Sequence, residues 1–261
     1  MTAQALVALE QRGHVAWLTL QRPESRNALS LATLGELRAH LAKLAADASV
    51  WAVAFTGAGD KAFCAGADLK ERRGFDAQMV SRFVREIRAA MDDVAALPQP
   101  TVAVMNGAAF GGGCELALAC DLRVLDESAA IGLTETSLAI IPGAGGCARL
   151  PRLVGAARAK ELILLARRLD AATALQIGLV HELAPAGRAV ERGGALLAEL
   201  LKNGPLALRA AKAAIDGGLD LSLAGALEHE AVCYQRTVPT ADRLEALAAF
   251  AEKRPPRFEG R

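Results

Sequence analysis

The sequence predicts an α/β fold followed by a helical C-terminal region. In the first half of the chain, short apolar segments typical of buried strands alternate with segments whose leucines recur at helical spacing. From Arg188 onward only amphipathic helical segments follow, separated by Gly-Pro, Gly-Gly and Val-Pro. Because the predicted strands are apolar throughout, we expect a sheet that is covered on both faces.

Each element has its own local signal. Arg12-Gly13 is a turn between the first two strands, and Ser30 is a typical N-cap for the first helix. The predicted strands are 5–10, 14–20, 50–55, 100–106 and 121–126. The predicted helices of the α/β part are 31–46, 78–96 and a third that begins at the glycines 111–113, directly after the 100–106 strand, and reaches Ala119. The predicted C-terminal helices are 188–202, 205–216, 221–235 and 240–252.

The composition excludes several classes of protein. The 261 residues carry 30 basic and 29 acidic side chains, so no overall positive charge attracts nucleic acid or an anionic membrane. With 52% hydrophobic residues, the chain has the composition of a globular protein rather than a disordered one. No uncharged apolar stretch reaches the roughly 18 residues that a membrane-spanning helix needs.

The cysteines and the N-terminus indicate the cellular compartment. The five cysteines are odd in number, widely spread and never in a CxxC pair, so neither a disulfide framework nor a zinc site is expected. Free thiols are typical of a reducing compartment. Since the N-terminal residues resemble neither a signal peptide nor a transit peptide, we expect a bacterial cytoplasmic protein.

Two glycine loops match the loose dinucleotide-binding pattern G-x-G-x-x-[GA]. Gly57 to Ala62 follows a predicted strand, but no helix opens directly after it, and Gly143 to Ala148 follows Ile-Pro rather than a strand. A lone match to this pattern is weak. We interpret the first loop as a tight turn, and nucleotide binding is the weaker alternative.

A third glycine run, Gly111-Gly112-Gly113, precedes the helix that carries Glu115. Glycines allow a ligand to approach the backbone closely, and the first N–H groups of a helix have no partner within the helix. Such a helix start stabilises negative charge, so it could bind either a phosphate or an enolate-like oxygen.

Glu115 and Glu135 both lie in otherwise apolar stretches. Each could serve only to complement a helix dipole. If both were instead buried beside one ligand, their pKa values would move apart, and one carboxyl could donate a proton while the other accepts one. The spacing of the two residues leaves both interpretations open.

Three motifs, in this order and spacing, resemble the enoyl-CoA hydratase/isomerase (crotonase) superfamily. They are Phe63-Cys-Ala-Gly-Ala-Asp-Leu-Lys70, then Asn106-Gly-Ala-Ala-Phe-Gly-Gly-Gly-Cys-Glu-Leu-Ala-Leu-Ala-Cys-Asp121, and Glu135 through Ile141-Pro-Gly-Ala-Gly-Gly146. The likeness extends from Arg26-Asn27-Ala28-Leu29 to Phe250-Ala-Glu-Lys-Arg254. It implies a spiral of ββα units with the active site over residues 1–187, and a helical oligomerisation region over 188–261 that forms a trimer or a dimer of trimers.

The resemblance also implies an active site for acyl-CoA thioesters that needs neither a metal nor a resident cofactor. The oxyanion hole would consist of the main-chain N–H groups of Ala67 and Gly112. Glu115 and Glu135 would be the catalytic pair, and the Gly143 N–H would orient a water molecule.

The CoA contacts implied by the resemblance lie in two segments. Ala65, Ala67, Asp68, Leu69 and Lys70 would contact CoA within one subunit, and Phe250 and Lys253 would reach it from a neighbouring subunit. For Lys253, the alternative is an ordinary exposed lysine near the C-terminus. The thiols of Cys64 and Cys114, which flank the motifs, are expected to be small packing groups.

Four stretches, 67–72, 138–142, 149–152 and 252–257, most resemble the methylglutaconyl-CoA hydratase branch, which includes the AU-rich-RNA-binding hydratase. This implies reversible syn addition of water to 3-methylglutaconyl-CoA, giving 3-hydroxy-3-methylglutaryl-CoA, a reaction of leucine degradation. Candidate cations for the distal carboxylate of that substrate are Lys70, Arg72, Arg73 and Arg82.

Two other functions are weaker alternatives. The first is a short-chain enoyl-CoA hydratase of the crotonyl-CoA type. The second is RNA binding, which is disfavoured because residues 31–50 contain only two cations, Arg38 and Lys43, offset by Glu36 and Asp47.

Overall fold

The computed structural model describes residues 5–261, and within them it contains two sheets surrounded by helices. The strands are β1 (Val7–Arg12), β2 (Val15–Leu20), β3 (Ala52–Gly57), β4 (Ala62–Cys64), β5 (Thr101–Met105), β6 (Ala108–Phe110), β7 (Leu122–Asp126), β8 (Ala130–Gly132), β9 (Leu169–Asp170) and β10 (Glu182–Ala184). The helices are α1 (Leu31–Ala46), α2 (Leu69–Arg72), α3 (Ala77–Ala95), α4 (Gly112–Ala119), α5 (Gly146–Val154), α6 (Ala156–Leu164), α7 (Ala171–Gln176), α8 (Ala189–Leu200), α9 (Pro205–Gly218), α10 (Leu223–Gln235) and α11 (Ala241–Glu252).

The chain winds through the two sheets as a spiral. The larger sheet has the order β1-β2-β3-β5-β7-β10 and the smaller one β4-β6-β8-β9. All neighbours in the larger sheet are parallel except β1 and β2. Each of the pairs β3-β4, β5-β6 and β7-β8 places one strand in each sheet before the chain enters helices. The crotonase-type spiral of ββα units is therefore confirmed.

The larger sheet is covered on both faces, as its apolar strands predict. Every residue of β3 and of β5 is buried. On one face, Val53 and Phe55 belong to a core cluster that includes leucines of α1 and the α3 residue Met91. On the other face, Ala54 and Val104 pack in a second cluster with Leu197 of α8. The alternation of side chains along each strand divides the core into these two layers.

The longer elements lie close to their predicted bounds. Helix α1 has the predicted limits, and Ser30 caps it by accepting a hydrogen bond from the Thr33 N–H at 3.1 Å. One prediction is wrong, because the 100–106 strand does not lead directly into the glycine run. The strand ends at Met105, and the short strand β6 intervenes. Strands of three residues are too short to produce a readable alternation, and β4, β8 and β10 were missed for the same reason.

The C-terminal region is helical from Ala189 onward. Its first helix, α8, packs on the larger sheet through Ala189 and Leu197, so it is part of the core. The division of the chain at residue 188 stays a prediction, and residues 1–4 of the predicted core lie outside the described part of the chain. Between residues 5 and 261, no helix combines the length and apolarity needed to cross a membrane.

Asn27 joins the segment after β2 to the turn after β3. Its side chain is 1% exposed; Nδ2 donates to the carbonyls of Ala58 at 3.0 Å and Ala62 at 2.8 Å, and Oδ1 accepts from the Arg22 N–H at 3.1 Å. Its φ of 56° lies in the left-handed region, which asparagine tolerates better than most residues. These hydrogen bonds hold the segment in which Leu29, two residues after Asn27, pairs with Ala67.

Replacing Asn27 with alanine should destabilise the protein by about 3 kcal/mol, because the buried Ala62 carbonyl and the half-buried Arg22 N–H and Ala58 carbonyl would lose their partners. Chemical unfolding at equal protein concentration measures this loss. The control Asn203→Ala changes an exposed asparagine at the end of a helix and should alter stability by less than about 0.5 kcal/mol. Equal stabilities of the two variants would contradict the role assigned to Asn27.

Candidate active site

The predicted site residues follow successive strands of the smaller sheet. Ala67 comes just after β4, Gly112 and Glu115 come after β6, and Glu135 comes after β8. These three strands are parallel neighbours, so their carboxyl ends meet at one edge of the sheet. Ligands of open α/β sheets bind outside the carboxyl ends of strands. The fold therefore brings together residues that are up to 68 positions apart in the sequence.

A cavity of about 980 Å³ lies at this edge. The predicted oxyanion residues Ala67 and Gly112, the glutamates Glu115 and Glu135, and the predicted water-orienting Gly143 all line it. Its apolar wall is formed by side chains of α3 and of the segment after Glu135, namely Val80, Phe83, Val84, Ile87, Ile140, Ile141 and Pro142. An apolar wall with a few convergent polar groups is typical of a small-molecule site.

The N–H groups of Ala67 and Gly112 lie close together, since a Cβ added at Gly112 would lie 3.6 Å from the Ala67 nitrogen. Gly66 has a φ of 97°, and a side chain there would place its Cβ 2.8 Å from the Phe110 carbonyl oxygen and 3.2 Å from the Gly112 nitrogen. Glycine is therefore required for the β4 segment to pass over the start of α4.

Both of these N–H groups are free to bind a ligand. The Leu29 N–H donates to the Gly66 carbonyl, and the Asp68 N–H donates to the Leu29 carbonyl. These bonds involve the residues on either side of Ala67, whose own N–H has no partner among residues 5–261. Gly112 is the first residue of α4, where an N–H has no partner within the helix. The two groups form a candidate binding site for an oxygen that gains negative charge.

Glu115 is 3% exposed and is held by main-chain donors. Its Oε1 accepts from the Ala144 N–H at 2.7 Å and from the Gly146 N–H at 2.9 Å. Burial raises the pKa of Glu115, whereas these two N–H groups and the nearby Arg149 guanidinium act in the opposite direction. The structure thus supplies hydrogen bonds that favour the ionised form of a nearly inaccessible carboxyl.

Glu135 shares the cavity but lacks such donors. It begins a short 3-10 helix (Glu135–Leu138), and its buried Oε2 has no hydrogen-bond partner within residues 5–261. Burial, with a further contribution from the neighbouring Glu115 charge, raises the pKa of Glu135 to about 7. An added Cβ at Gly111 would lie 3.2 Å from Glu135 Oε1, which places this carboxyl over the start of α4.

The segment predicted to contact CoA separates into exposed and buried positions. Ala65, Leu69 and Lys70 are exposed, whereas Asp68 is 8% exposed. The Asp68 carboxylate caps α2 by accepting from the N–H groups of Lys70 and Glu71, and Arg22 Nη2 donates to it at 2.8 Å. Sequence reasoning missed this ion pair because Arg22 lies 46 residues earlier in the chain.

In the described part of the chain, residues 5–261, Phe250 and Lys253 are not among the residues that line the cavity. Both lie at the end of α11, where Phe250 is 86% exposed and Lys253 is also exposed. The predicted contact with CoA bound to a neighbouring subunit stays a prediction.

Of the four candidate cations for a distal carboxylate, Arg72 lines the cavity, and its guanidinium lies 5.7 Å from the centre of the Phe83 ring. Lys70, Arg73 and Arg82 are exposed and are not among the lining residues within the described chain. Sequence reasoning missed three further arginines that line the cavity, Arg88, Arg149 and Arg152. They come from α3 and α5, and their approach to the cavity depends on how those helices pack.

Cys64 and Cys114 are buried in the core, as expected of packing residues. Cys147 is exposed and lines the cavity, and sequence reasoning gave it no role. Burial and the charges of the two glutamates raise the pKa of the Cys147 thiol, which keeps it in its less nucleophilic form. The residues between 5 and 261 contain no group of three His, Cys, Asp or Glu side chains arranged to hold a metal ion.

Sequence comparison identifies the family. A sequence profile described as enoyl-CoA hydratase/isomerase matches residues 10–261. The chain belongs to this family. A crystal structure of enoyl-CoA hydratase from Bacillus anthracis superimposes with a TM-score of 0.97 at 47% identity, covering 98% of this chain and 100% of that one. The predictions of a crotonase-type fold and of a hydro-lyase of this family are confirmed.

Relatives with different names are equally similar to the chain. The mitochondrial enoyl-CoA hydratase domain-containing protein 2 of Bos taurus is 47% identical over 250 residues, which are 94% of this chain and 84% of the relative. The mitochondrial methylglutaconyl-CoA hydratase of Homo sapiens is 47% identical over 255 residues, which are 96% of this chain and 75% of the relative. The acyl substrate and the cytoplasmic location therefore stay predictions.

Replacing Glu115 with glutamine should lower the pKa of Glu135 below its wild-type value of about 7, because the variant lacks the neighbouring negative charge. Burial remains, so the pKa should stay above that of an ordinary glutamate. The ¹³C carboxyl resonance of Glu135, followed against pH, measures the change. Glu10→Gln, on exposed strand β1, is the control and should leave the Glu135 titration unchanged. An unchanged titration in Glu115→Gln would show that the two carboxyls do not interact.

Proposed function

We propose that this chain catalyses the reversible syn hydration of 3-methylglutaconyl-CoA to 3-hydroxy-3-methylglutaryl-CoA, a step of leucine degradation. One observation carries the hydratase chemistry. Two carboxyls with unlike hydrogen bonding share a cavity with two main-chain N–H groups that have no partner among residues 5–261.

The N–H groups of Ala67 and Gly112 bind the thioester oxygen in this proposal. Hydration moves electron density from the double bond onto that oxygen, and two fixed N–H donors stabilise the resulting enolate. One such donor is typically worth about 3–4 kcal/mol of transition-state stabilisation. The start of α4 adds the favourable end of its helix dipole. This arrangement requires no metal or resident cofactor.

Because the two carboxyls have unlike surroundings, we assign a different proton transfer to each. Ionised Glu115 accepts a proton from water as the hydroxide oxygen bonds to the β-carbon, with the Gly143 N–H orienting the water. Protonated Glu135 donates its proton to the α-carbon, and dehydration reverses both transfers. Because the pKa of Glu135 is about 7, the protonated carboxyl needed for hydration is lost as the pH rises through that value.

The choice of acyl chain is supported by Arg72 and by the resemblance to the methylglutaconyl-CoA hydratase branch. 3-Methylglutaconyl-CoA carries a second carboxylate, which needs a cation inside the cavity. Arg72 is the sequence-predicted cation that lines this cavity, and we assign it to that carboxylate. The apolar lining from α3 and the segment after Glu135 favours the alternative substrate, a short uncharged enoyl-CoA such as crotonyl-CoA.

Homo-oligomerisation through the C-terminal helices is part of the proposal. Large apolar side chains of α9 to α11 are exposed in the single chain, including Ile215, Leu223, Leu227, Leu247 and Phe250. An exposed apolar area of this kind is typical of a protein interface. A trimer or a dimer of trimers would cover it and could bring Phe250 and Lys253 to the CoA of a neighbouring subunit.

RNA binding receives little support. Helix α1 would have to present cations to phosphates, and Arg38 on this helix already contacts Asp93 at 2.6 Å and Glu86 at 3.0 Å. Its Glu36 accepts from the N–H groups of Leu6 and Val7. A helix surface with so few available cations cannot neutralise several phosphates.

Glu115→Gln and Glu135→Gln should each lower kcat/KM for hydration by about 10²–10⁴-fold, because each variant lacks one of the two proton-transfer groups. Loss of the conjugated enoyl-thioester absorbance measures the rate, with 3-methylglutaconyl-CoA and crotonyl-CoA as substrates. Glu10→Gln serves as the control with wild-type activity. A wild-type preference for crotonyl-CoA would keep the mechanism and change the substrate. Full activity of either glutamate variant would contradict the mechanism.

Arg72→Met should lower kcat/KM for 3-methylglutaconyl-CoA by about 10- to 100-fold, the equivalent of one charge-assisted hydrogen bond. The rate for crotonyl-CoA, which has no distal carboxylate, should change far less. Arg73→Met is a matched control, because this neighbouring arginine is exposed and does not line the cavity within the described chain. Equal losses for both substrates in Arg72→Met would show that Arg72 does not recognise the distal carboxylate.

A further inference from the structure

The loop between Pro142 and Gly146 determines where the Glu115 carboxylate lies. Both protein donors to Glu115 Oε1, the Ala144 and Gly146 N–H groups, come from this loop. Glu115 has its backbone on α4, about 30 residues earlier in the chain. Any movement of the loop would therefore move or release a carboxylate that the proposed reaction needs in one position.

Arg149 is hydrogen-bonded to the same loop. Its Nη1 donates to the Ala144 carbonyl oxygen at 3.0 Å, and its Nη2 donates to Asp92 Oδ1 at 2.7 Å. Asp92 lies near the end of α3, so the guanidinium joins α5, the loop and α3. The Arg149 side chain is 22% exposed and the Asp92 side chain 53%, so the bond to the loop is partly shielded from water whereas the bond to Asp92 is exposed.

The hydrogen bonds occur on three consecutive peptide groups. The peptides Gly143–Ala144 and Gly145–Gly146 each donate an N–H to Glu115, and the Ala144–Gly145 peptide between them accepts from Arg149. Gly145 has a φ of 108°, and an added Cβ would overlap Arg149 Nη1. The loop therefore needs glycine at residue 145 both for its backbone conformation and for the close approach of the guanidinium.

The charges around Arg149 are few and identifiable. Asp92 accepts its hydrogen bond and also contacts Arg88 at 3.6 Å. Arg152, one helical turn further along α5, pairs with Asp220 at 3.3 Å. Glu115 and Glu135 line the same cavity as Arg149. Among these groups, Arg149 bonds directly to the loop that binds Glu115.

We propose that Arg149, held by Asp92, is a positioning residue that keeps the Glu115 carboxylate oriented toward the reacting water by fixing the Ala144–Gly145 peptide. This inference rests on the proposed hydratase mechanism, in which Glu115 accepts the proton of water. In this role Arg149, which also lines the cavity, acts through the loop and not by contact with the water or the acyl group. Its effect should therefore appear in kcat rather than in KM.

The test uses the full-length oligomeric enzyme with Arg149→Met, Arg149→Lys and Asp92→Asn, and Arg158→Met as the control. Arg158 is an exposed arginine that pairs with Glu161 on α6, away from the cavity. Arg149→Met should lower kcat for crotonyl-CoA hydration by about 10- to 100-fold with little change in KM, as expected for a displaced catalytic group. Arg149→Lys should restore part of kcat, because its ammonium group can still donate to the Ala144 carbonyl.

A second readout does not require turnover. The ¹³C carboxyl titration of Glu115 and the ¹⁵N–H resonance of Gly146 report directly on the carboxylate and its donor. In Arg149→Met the Glu115 pKa should rise, because the variant lacks the cation and loosens the two N–H donors, and the Gly146 resonance should shift. In Arg158→Met neither should change.

Wild-type kcat and unchanged resonances in Arg149→Met would overturn the inference. A large rise in KM at unchanged kcat would also overturn it, because Arg149 would then bind substrate. If Arg149→Met does not fold, Asp92→Asn serves as the test variant. Wild-type kcat and unchanged resonances in Asp92→Asn would then contradict the inference. If the wild-type enzyme hydrates no enoyl-CoA, the proposed function fails, and the titration still tests the link between Arg149 and Glu115.

Discussion

The burial of the Glu115 carboxyl is the constraint on which the site depends. A carboxylate that is 3% exposed is stable only where hydrogen-bond donors replace the water it has lost. Those donors are the N–H groups of Ala144 and Gly146, so the loop before α5 must fold over the start of α4. The loop is in turn bonded to Arg149, which Asp92 holds. The buried Glu115 carboxyl is thus linked to three helices, α4, α5 and α3.

The same constraint explains why two neighbouring glutamates differ. Both are desolvated, and burial raises the pKa of each. Main-chain donors oppose this effect at Glu115, whereas the buried Glu135 Oε2 has no partner within residues 5–261, and Glu135 also experiences the charge of Glu115. Carboxyls with unlike surroundings can act as acid and base at one pH. The surroundings of the two carboxyls differ by two hydrogen bonds, although the residue type is the same.

The spiral topology places the remaining groups. Each turn of the chain ends a strand of the smaller sheet at the same edge, and the residues after β4, β6 and β8 reach one cavity. Close backbone approach at Gly66 brings Ala67 over the first residue of α4, where N–H groups are free. Two common structural features, the end of a parallel strand and the start of a helix, therefore form a candidate binding site for a developing negative charge.

The sequence alone was sufficient for the α/β class, the limits of α1, the helical C-terminal region and the family, because these depend on apolar periodicity, an N-cap and ordered motifs. It left open whether Glu115 and Glu135 meet, since periodicity describes one element at a time and carries no distance between elements. The three-residue strands β4, β6 and β8 were missed because they are too short to show a pattern. The ion pairs Arg22–Asp68 and Arg149–Asp92 join residues that are 46 and 57 positions apart. Only the packing of helices and loops in the tertiary structure determines which acidic residue each arginine contacts.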